Sequence, residues 1–167
     1  MPTEYYLDDA VTAVVCSVVQ NEQYSEIQGL RDNDTAFLVA AVRKVNKDGE
    51  TQPTSGPPVV VRKISPADAV FLPGFQFKIF VDMHRWEAAN ADQHIAMVHR
   101  ELERIVVEIK ESGIKYSIRR PDVQTCFENV ARFGAWEKPL LVLRSNFDLA
   151  KKLAATTGKS YESFVGP

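Results

Sequence analysis

All three histidines of the chain, His84, His94 and His99, fall within sixteen residues, the kind of clustering from which zinc sites are built. Their spacing argues against one shared ion. His94 and His99 are five apart, so on a helix turning about 100° per residue they point roughly 140° away from each other, whereas the pair of an HExxH motif stands at i, i+4 on one face. His84 with Asp82 leaves a half-site, although capping and surface hydrogen bonding are the commoner use of such a pair. His99 and Glu103 do stand at i, i+4, and with His84 they form the alternative ligand set of a metal-dependent hydrolase, to which His94 could add. A second cluster is cationic. On a helix Arg100 and Arg104 lie about 40° apart, with Glu101, Glu103 and Glu108 beside them, and Arg119, Arg120 and Asp122 approach from the next segment. Three readings stay open for Arg100, Arg104, Arg119 and Arg120. They can pair with Glu101 and Asp122 to hold helices together, bind a phosphate or carboxylate, or form a solvated face; the structural role is preferred.

Other nucleophile patterns fail. Ser145, Ser160 and Ser163 have no His and Asp partners at a usable spacing. Thr157-Gly158-Lys159-Ser160 has the end of a P-loop, but Ala154 stands where its first glycine is required.

Several elements must position these residues. A first helix is expected over 4–23, capped by Thr3, with valines and alanines recurring at three and four. Two strands, 35–45 and one resuming at Val59-Val60-Val61, flank a mobile Gly/Pro/Ser-rich loop at 47–58, and a third strand covers 75–81 after the Pro73-Gly74 turn. Asn90 and Gln93 open a long helix whose stripe Ile95, Val98, Leu102, Ile105, Val106 and Ile109 runs to Gly113. Pro121 and Gly134 bracket a helix over 123–133, and a last one covers 146–157 before a frayed tail at 158–167. Trp86, Trp136, Phe75, Phe77, Phe80 and Phe133 read as core and turn anchors. The whole, 1–167, reads as a single α+β domain: an N-terminal helix, a two- to three-stranded mostly antiparallel sheet, a long central helix and C-terminal helices.

Composition narrows the function. Twenty basic against 22 acidic residues leave a net charge of -2, so no global field draws the chain to nucleic acid or anionic membrane. The apolar run 10–19, broken by Thr12 and Ser17, is far short of the ~20 residues that span a bilayer, and the acidic residues ahead of it do not make a signal peptide. A cytoplasmic protein without membrane contact is expected. Cys16 and Cys126, 110 positions apart, read as reduced, buried and structural.

The strand Phe77-Lys78-Ile79-Phe80-Val81, then Trp86, then Ala96-Met97-Val98-His99-Arg100-Glu101-Leu102-Glu103-Arg104 resembles the active-site region of the phage metallopeptidases, small zincin-like proteins with a helix of the form A-L-[ILV]-x-H-E-L-x-H. Arg119-Arg120-Pro121-Asp122-Val123 through Gly134-Ala135-Trp136 is similar to the family's next segment, which carries its third ligand. The resemblance implies a zincin-like fold. In its register Arg100 and Arg104 occupy the two histidine positions, Glu101 keeps the general-base position and Pro121 falls at the third ligand. A guanidinium has no lone pair to offer a metal. The expectation is therefore no cofactor and no catalysis: a phage or prophage pseudoenzyme that binds a macromolecular partner, a protein in preference to nucleic acid, with interference with a host protein as one job. The alternatives are the His84/His99/Glu103 hydrolase and nucleic-acid binding through the arginines.

Overall fold

Asp8, not Thr3, opens the first helix. In the computed structural model, which describes residues 2–120, 129–130 and 132–134, Thr3–Tyr6 is a strand (β1), and the Asp8 carboxylate accepts the Val11 N–H at 3.0 Å to start α1, Asp9–Gln20. The expected helix over 4–23 is thus shorter at both ends. Thr3, Tyr5 and Tyr6 suit a pleated surface, and β1 finds a partner far along the chain, with Thr3 opposite Lys44. The five valines of α1 cost it roughly half a kcal/mol each in helix propensity. Four of them, Val11, Val15, Val18 and Val19, are buried, and each returns about 1.5 kcal/mol or more, so burial decides. Cys16 lies on the outer face and is exposed, against the expectation of a buried thiol; its position is one removed from the inward stripe.

A 3-10 turn (Ser25–Ile27) and α2 (Gln28–Asp32) lead into β2, Phe37–Val45. The short β3 (Thr51–Gln52), β4 (Val59–Lys63), α3 (Pro66–Ala69), β5 (Phe77–Asp82) and α4 (Met83–Glu87) follow. The sheet has five strands in the order β1-β2-β5-β4, with β3 on the end of β2, where two or three were expected. Its centre is parallel: β2 runs alongside β5 from Phe37 opposite Phe77 to Val42 opposite Asp82. Central strands covered by helices can be apolar along their length, as β2 and β5 largely are. One sheet face carries Val39, Ala41, Val59, Val61, Phe77, Ile79 and Val81, all at most 4% exposed, and packs under α1 and α5 (Ala91–Leu102).

The long helix ends early. It stops at Leu102, and the Ile105, Val106 and Ile109 of the expected stripe belong to β6 (Ile105–Lys110), paired antiparallel with β7 (Gly113–Ile118) in a separate hairpin. Gly113, at φ 117°, closes the turn. Of the helix expected over 123–133, residues 129, 130, 132 and 133 are described and helical, and Gly134 follows at φ 75° with its N–H on the Val130 carbonyl. Pro121, Asp122, Cys126, Trp136, the three serines, the helix expected over 146–157 and the tail lie outside the described residues. Contacts group the chain into two units, Met1–Pro121 and Asp122–Pro167, and β1 to β7 with α1 to α5 all belong to the first. Among the described residues no helix is long and apolar enough to cross a membrane.

The segment 47–58 is tied down by one carboxylate. Asp82, 3% exposed, accepts the Thr54 N–H and hydroxyl at 2.7 and 2.9 Å and caps α4 through the His84 N–H at 3.0 Å. Arg85 adds bonds to the Thr54 and Gly56 carbonyls. Hydrogen bonds to a charged group contribute about 1.5–3 kcal/mol, so Asp82→Ala is expected to lower stability by at least that much in denaturant unfolding and to speed amide exchange at Thr54. Unchanged exchange there would contradict the tie.

Candidate functional site

The site is built on the end of α5. Asn90 and Gln93 exchange side-chain bonds with each other's backbone in a capping box, which fixes where the helix begins and hence which residues face inward. Ala96, Met97, Val98 and Leu102 are buried, and so are two residues of a different kind, His99 at 2% and Glu101 at 3% exposure.

Glu101 meets three groups. Its Oε2 accepts the N–H of Val61 at 3.2 Å, an outward-pointing donor of β4, which is an edge strand among the described residues. The same oxygen takes a short ion-paired bond from Nη1 of Arg104. Arg100 adds its charge nearby. Arg104 is not on the helix, as the expected 40° pairing with Arg100 required; it stands just past the last helical residue and reaches back one turn. Its Nε donates to the Arg119 carbonyl at 3.0 Å, and the Arg119 N–H returns to the Arg104 carbonyl at 2.8 Å. One buried carboxylate and one guanidinium therefore join α5, the edge of β4 and the end of β7. Of the predicted arginines, the structure brings Arg100 and Arg104 to Glu101 and Arg119 to Arg104 through its backbone, and leaves Arg120 exposed.

The histidines occupy three separate settings. His84 is exposed, with Nδ1 3.3 Å from the Thr51 hydroxyl. His94 stacks on Trp86 at 3.9 Å and 5°, its Nε2 2.8 Å from the Trp86 carbonyl. His99 lies edge-on to Tyr24 at 4.7 Å, between the carboxylates of Glu103 at 3.8 Å and Glu26 at 3.9 Å. The structure thus brings His99 and Glu103 together and sets His84 against β3 instead. Among the described residues no three His, Cys, Asp or Glu side chains are grouped to hold a metal ion. Asp82 has the capping role that the sequence offered for it.

Sequence reasoning missed the Val61 N–H and the Tyr24/Glu26 surround of His99. The first has no side-chain signature, because it is a backbone donor exposed by strand order. The second involves a segment more than sixty residues earlier in the chain, with no periodicity linking the two.

A model of a known family, described as "Putative phage metallopeptidase", matches residues 3–146. No curated protein and no solved structure matches the chain.

Burial raises the Glu101 pKa above its ordinary value of 4.5, and Arg104, the Val61 N–H and Arg100 only partly offset this. The folded chain therefore holds this proton more tightly than the unfolded chain. The contribution of Glu101 to stability is full below 4.5 and is lost as pH rises through the raised folded value. Glu101→Gln removes the titration. The stability of the native chain relative to this variant is expected to fall as pH rises above 4.5 in paired denaturant melts; a difference flat with pH would refute it.

Proposed function

Since the chain belongs to the family of putative phage metallopeptidases, matched over residues 3–146, we propose that it keeps that family's scaffold without its peptidase chemistry and acts by binding a macromolecular partner. The observation that carries this is the bonding of Glu101. In the family register it is the general base, which must face a metal-bound water to act. Here its carboxylate faces the Val61 N–H and the Arg104 guanidinium instead. Nor do the neighbouring positions suit zinc. Arg100 and Arg104 stand where the register has histidines, and a guanidinium offers no lone pair at any accessible pH. The donor set does not fit the metal.

The cation in this site is supplied by the chain itself. Arg104 gives a positive charge beside Glu101 where a metallopeptidase would hold its ion, and it anchors the hairpin besides. A zincin-like fold used for its surface, in a phage or prophage protein working in the host cytoplasm, agrees with that exchange, and interference with a host protein is one job it would suit. The reading of the arginines as an anion site is weaker for Arg104, whose donors already reach Glu101 and Arg119. The competing hydrolase would need His84, His99 and Glu103 on one ion, and His84 is bonded to Thr51 instead.

Elemental analysis of the full chain, purified without chelator, is expected to give no stoichiometric zinc, and added zinc is expected to produce no cleavage of casein. One zinc per chain, lost on His99→Ala, would sink this reading and put the hydrolase in its place.

A further inference from the structure

The sheet has a second face that the helices α1 and α5 leave uncovered. Strand register places Thr3 opposite Lys44, Tyr5 opposite Val42, Val60 opposite Phe80 and Arg62 opposite Lys78, all on this side, because residues directly opposite share a face. Between β1 and β4 it forms a cavity of about 300 Å³ lined by Tyr5, Lys44, Arg62, Phe80 and the turn Thr54–Pro57, at the small end of the range of about 300–1,000 Å³ that admits small ligands.

Its chemistry is of one kind. Tyr5 is 63% exposed and stands edge-on to Phe80 at 6.0 Å, while the Arg62 guanidinium lies over the Phe80 ring at 5.5 Å. A tyrosine ring and a guanidinium plane are the two surfaces on which unstacked bases settle. Neither Lys44 nor Arg62 is in an ion pair among the described residues. The nearby acids are already engaged: Asp82 by Thr54 and the start of α4, Asp68 by Lys78 at 2.8 Å. The cavity lining holds two cations, the hydroxyls of Thr3, Tyr5, Thr54 and Ser55, and no carboxylate.

We infer that this sheet face binds a single strand of nucleic acid, bases stacking on Tyr5 and on the Arg62–Phe80 pair and the adjoining phosphates held by Lys44 and Arg62. The inference rests on the binding reading above and names the class of partner. It departs from the expectation of a protein partner, which followed from the net charge of -2, because a strand meets the local charge of the cavity and not the average of the chain. A duplex offers phosphates but no free base faces, and polyglutamate offers charge without aromatic rings.

The test is fluorescence anisotropy of the full chain with labelled oligo(dT) and oligo(U) of about 15 nucleotides, near the upper end of the site sizes that such surfaces take. A duplex of the same length and polyglutamate serve as comparisons. Either single strand is expected to bind with salt-dependent affinity, ahead of both comparisons. Tyr5→Ala should weaken binding on the order of tenfold. Lys44→Glu with Arg62→Glu should abolish it, and Arg120→Glu should leave it unchanged. All four residues reach the surface, and thermal melts would confirm that the variants fold. No binding, equal binding of the duplex or of polyglutamate, or loss with Arg120→Glu in place of Arg62→Glu overturns the inference. These variants lie outside the Glu101–Arg104 pair, so failure here leaves the zinc result standing, and zinc uptake would overturn the earlier reading without altering this one.

Discussion

A carboxylate cannot be left bare in the interior, and the end of α5 is arranged around that constraint. Glu101 faces the core side of its helix, where water does not reach it, so its oxygens must find donors within the fold. They find one backbone N–H from β4 and one guanidinium from just beyond the end of the helix. The rest of the site depends on that pairing. Arg104 must turn back toward the helix, where its Nε donates to the Arg119 carbonyl and its own carbonyl accepts the Arg119 N–H, and this fixes where the hairpin joins. The edge of β4 acquires a cover for one of its outward donors. Burial still dominates the carboxyl's pKa, as is usual for buried ion pairs, whose value lies more in setting geometry than in net stability.

The same scaffold serves two faces of one sheet differently. On the inner face valines, isoleucine and Phe77 make the core that α1 and α5 cover. On the outer face the alternating positions carry rings and cations, beside the hydroxyls of the turn that Asp82 holds. The residues bonded to Glu101 and those that line the outer-face cavity are different ones, and changes at Tyr5 or Arg62 need not disturb Glu101.

Parts of this were legible in the sequence. β2 and β5 stand out because runs such as Phe37-Leu38-Val39 and Phe77-Lys78-Ile79-Phe80-Val81 are rich in β-branched and aromatic residues, and the Asn90/Gln93 box marked the start of α5 correctly. The family match was readable from the strand, Trp86 and the Arg-Glu-Leu-Glu-Arg run. The end of α5 was not, because Leu102, Ile105, Val106 and Ile109 continue a helical period by coincidence while Ile105, Val107 and Ile109 also alternate as a strand. The signal for the strand was the pair of β-branched runs around Glu111-Ser112-Gly113. That error hid the site's main contact: on a continuous helix Arg104 points beside Arg100, whereas at a helix end it can fold back onto Glu101. At the N-terminus the valine-rich period drew the helix through Thr3–Tyr6, whose partner strand lies about forty residues away and leaves no local trace.

Glu101 and Arg104 act as one unit, and a double-mutant cycle measures their coupling. Denaturant unfolding of Glu101→Gln, Arg104→Met and the double variant isolates their coupling. Arg104→Met alone, which leaves the buried carboxylate without its cation, is expected to cost about 3 kcal/mol or more. The double variant should cost less than the sum of the singles by more than about 1 kcal/mol. Effects that add to within about 0.5 kcal/mol would show instead that the two side chains act independently.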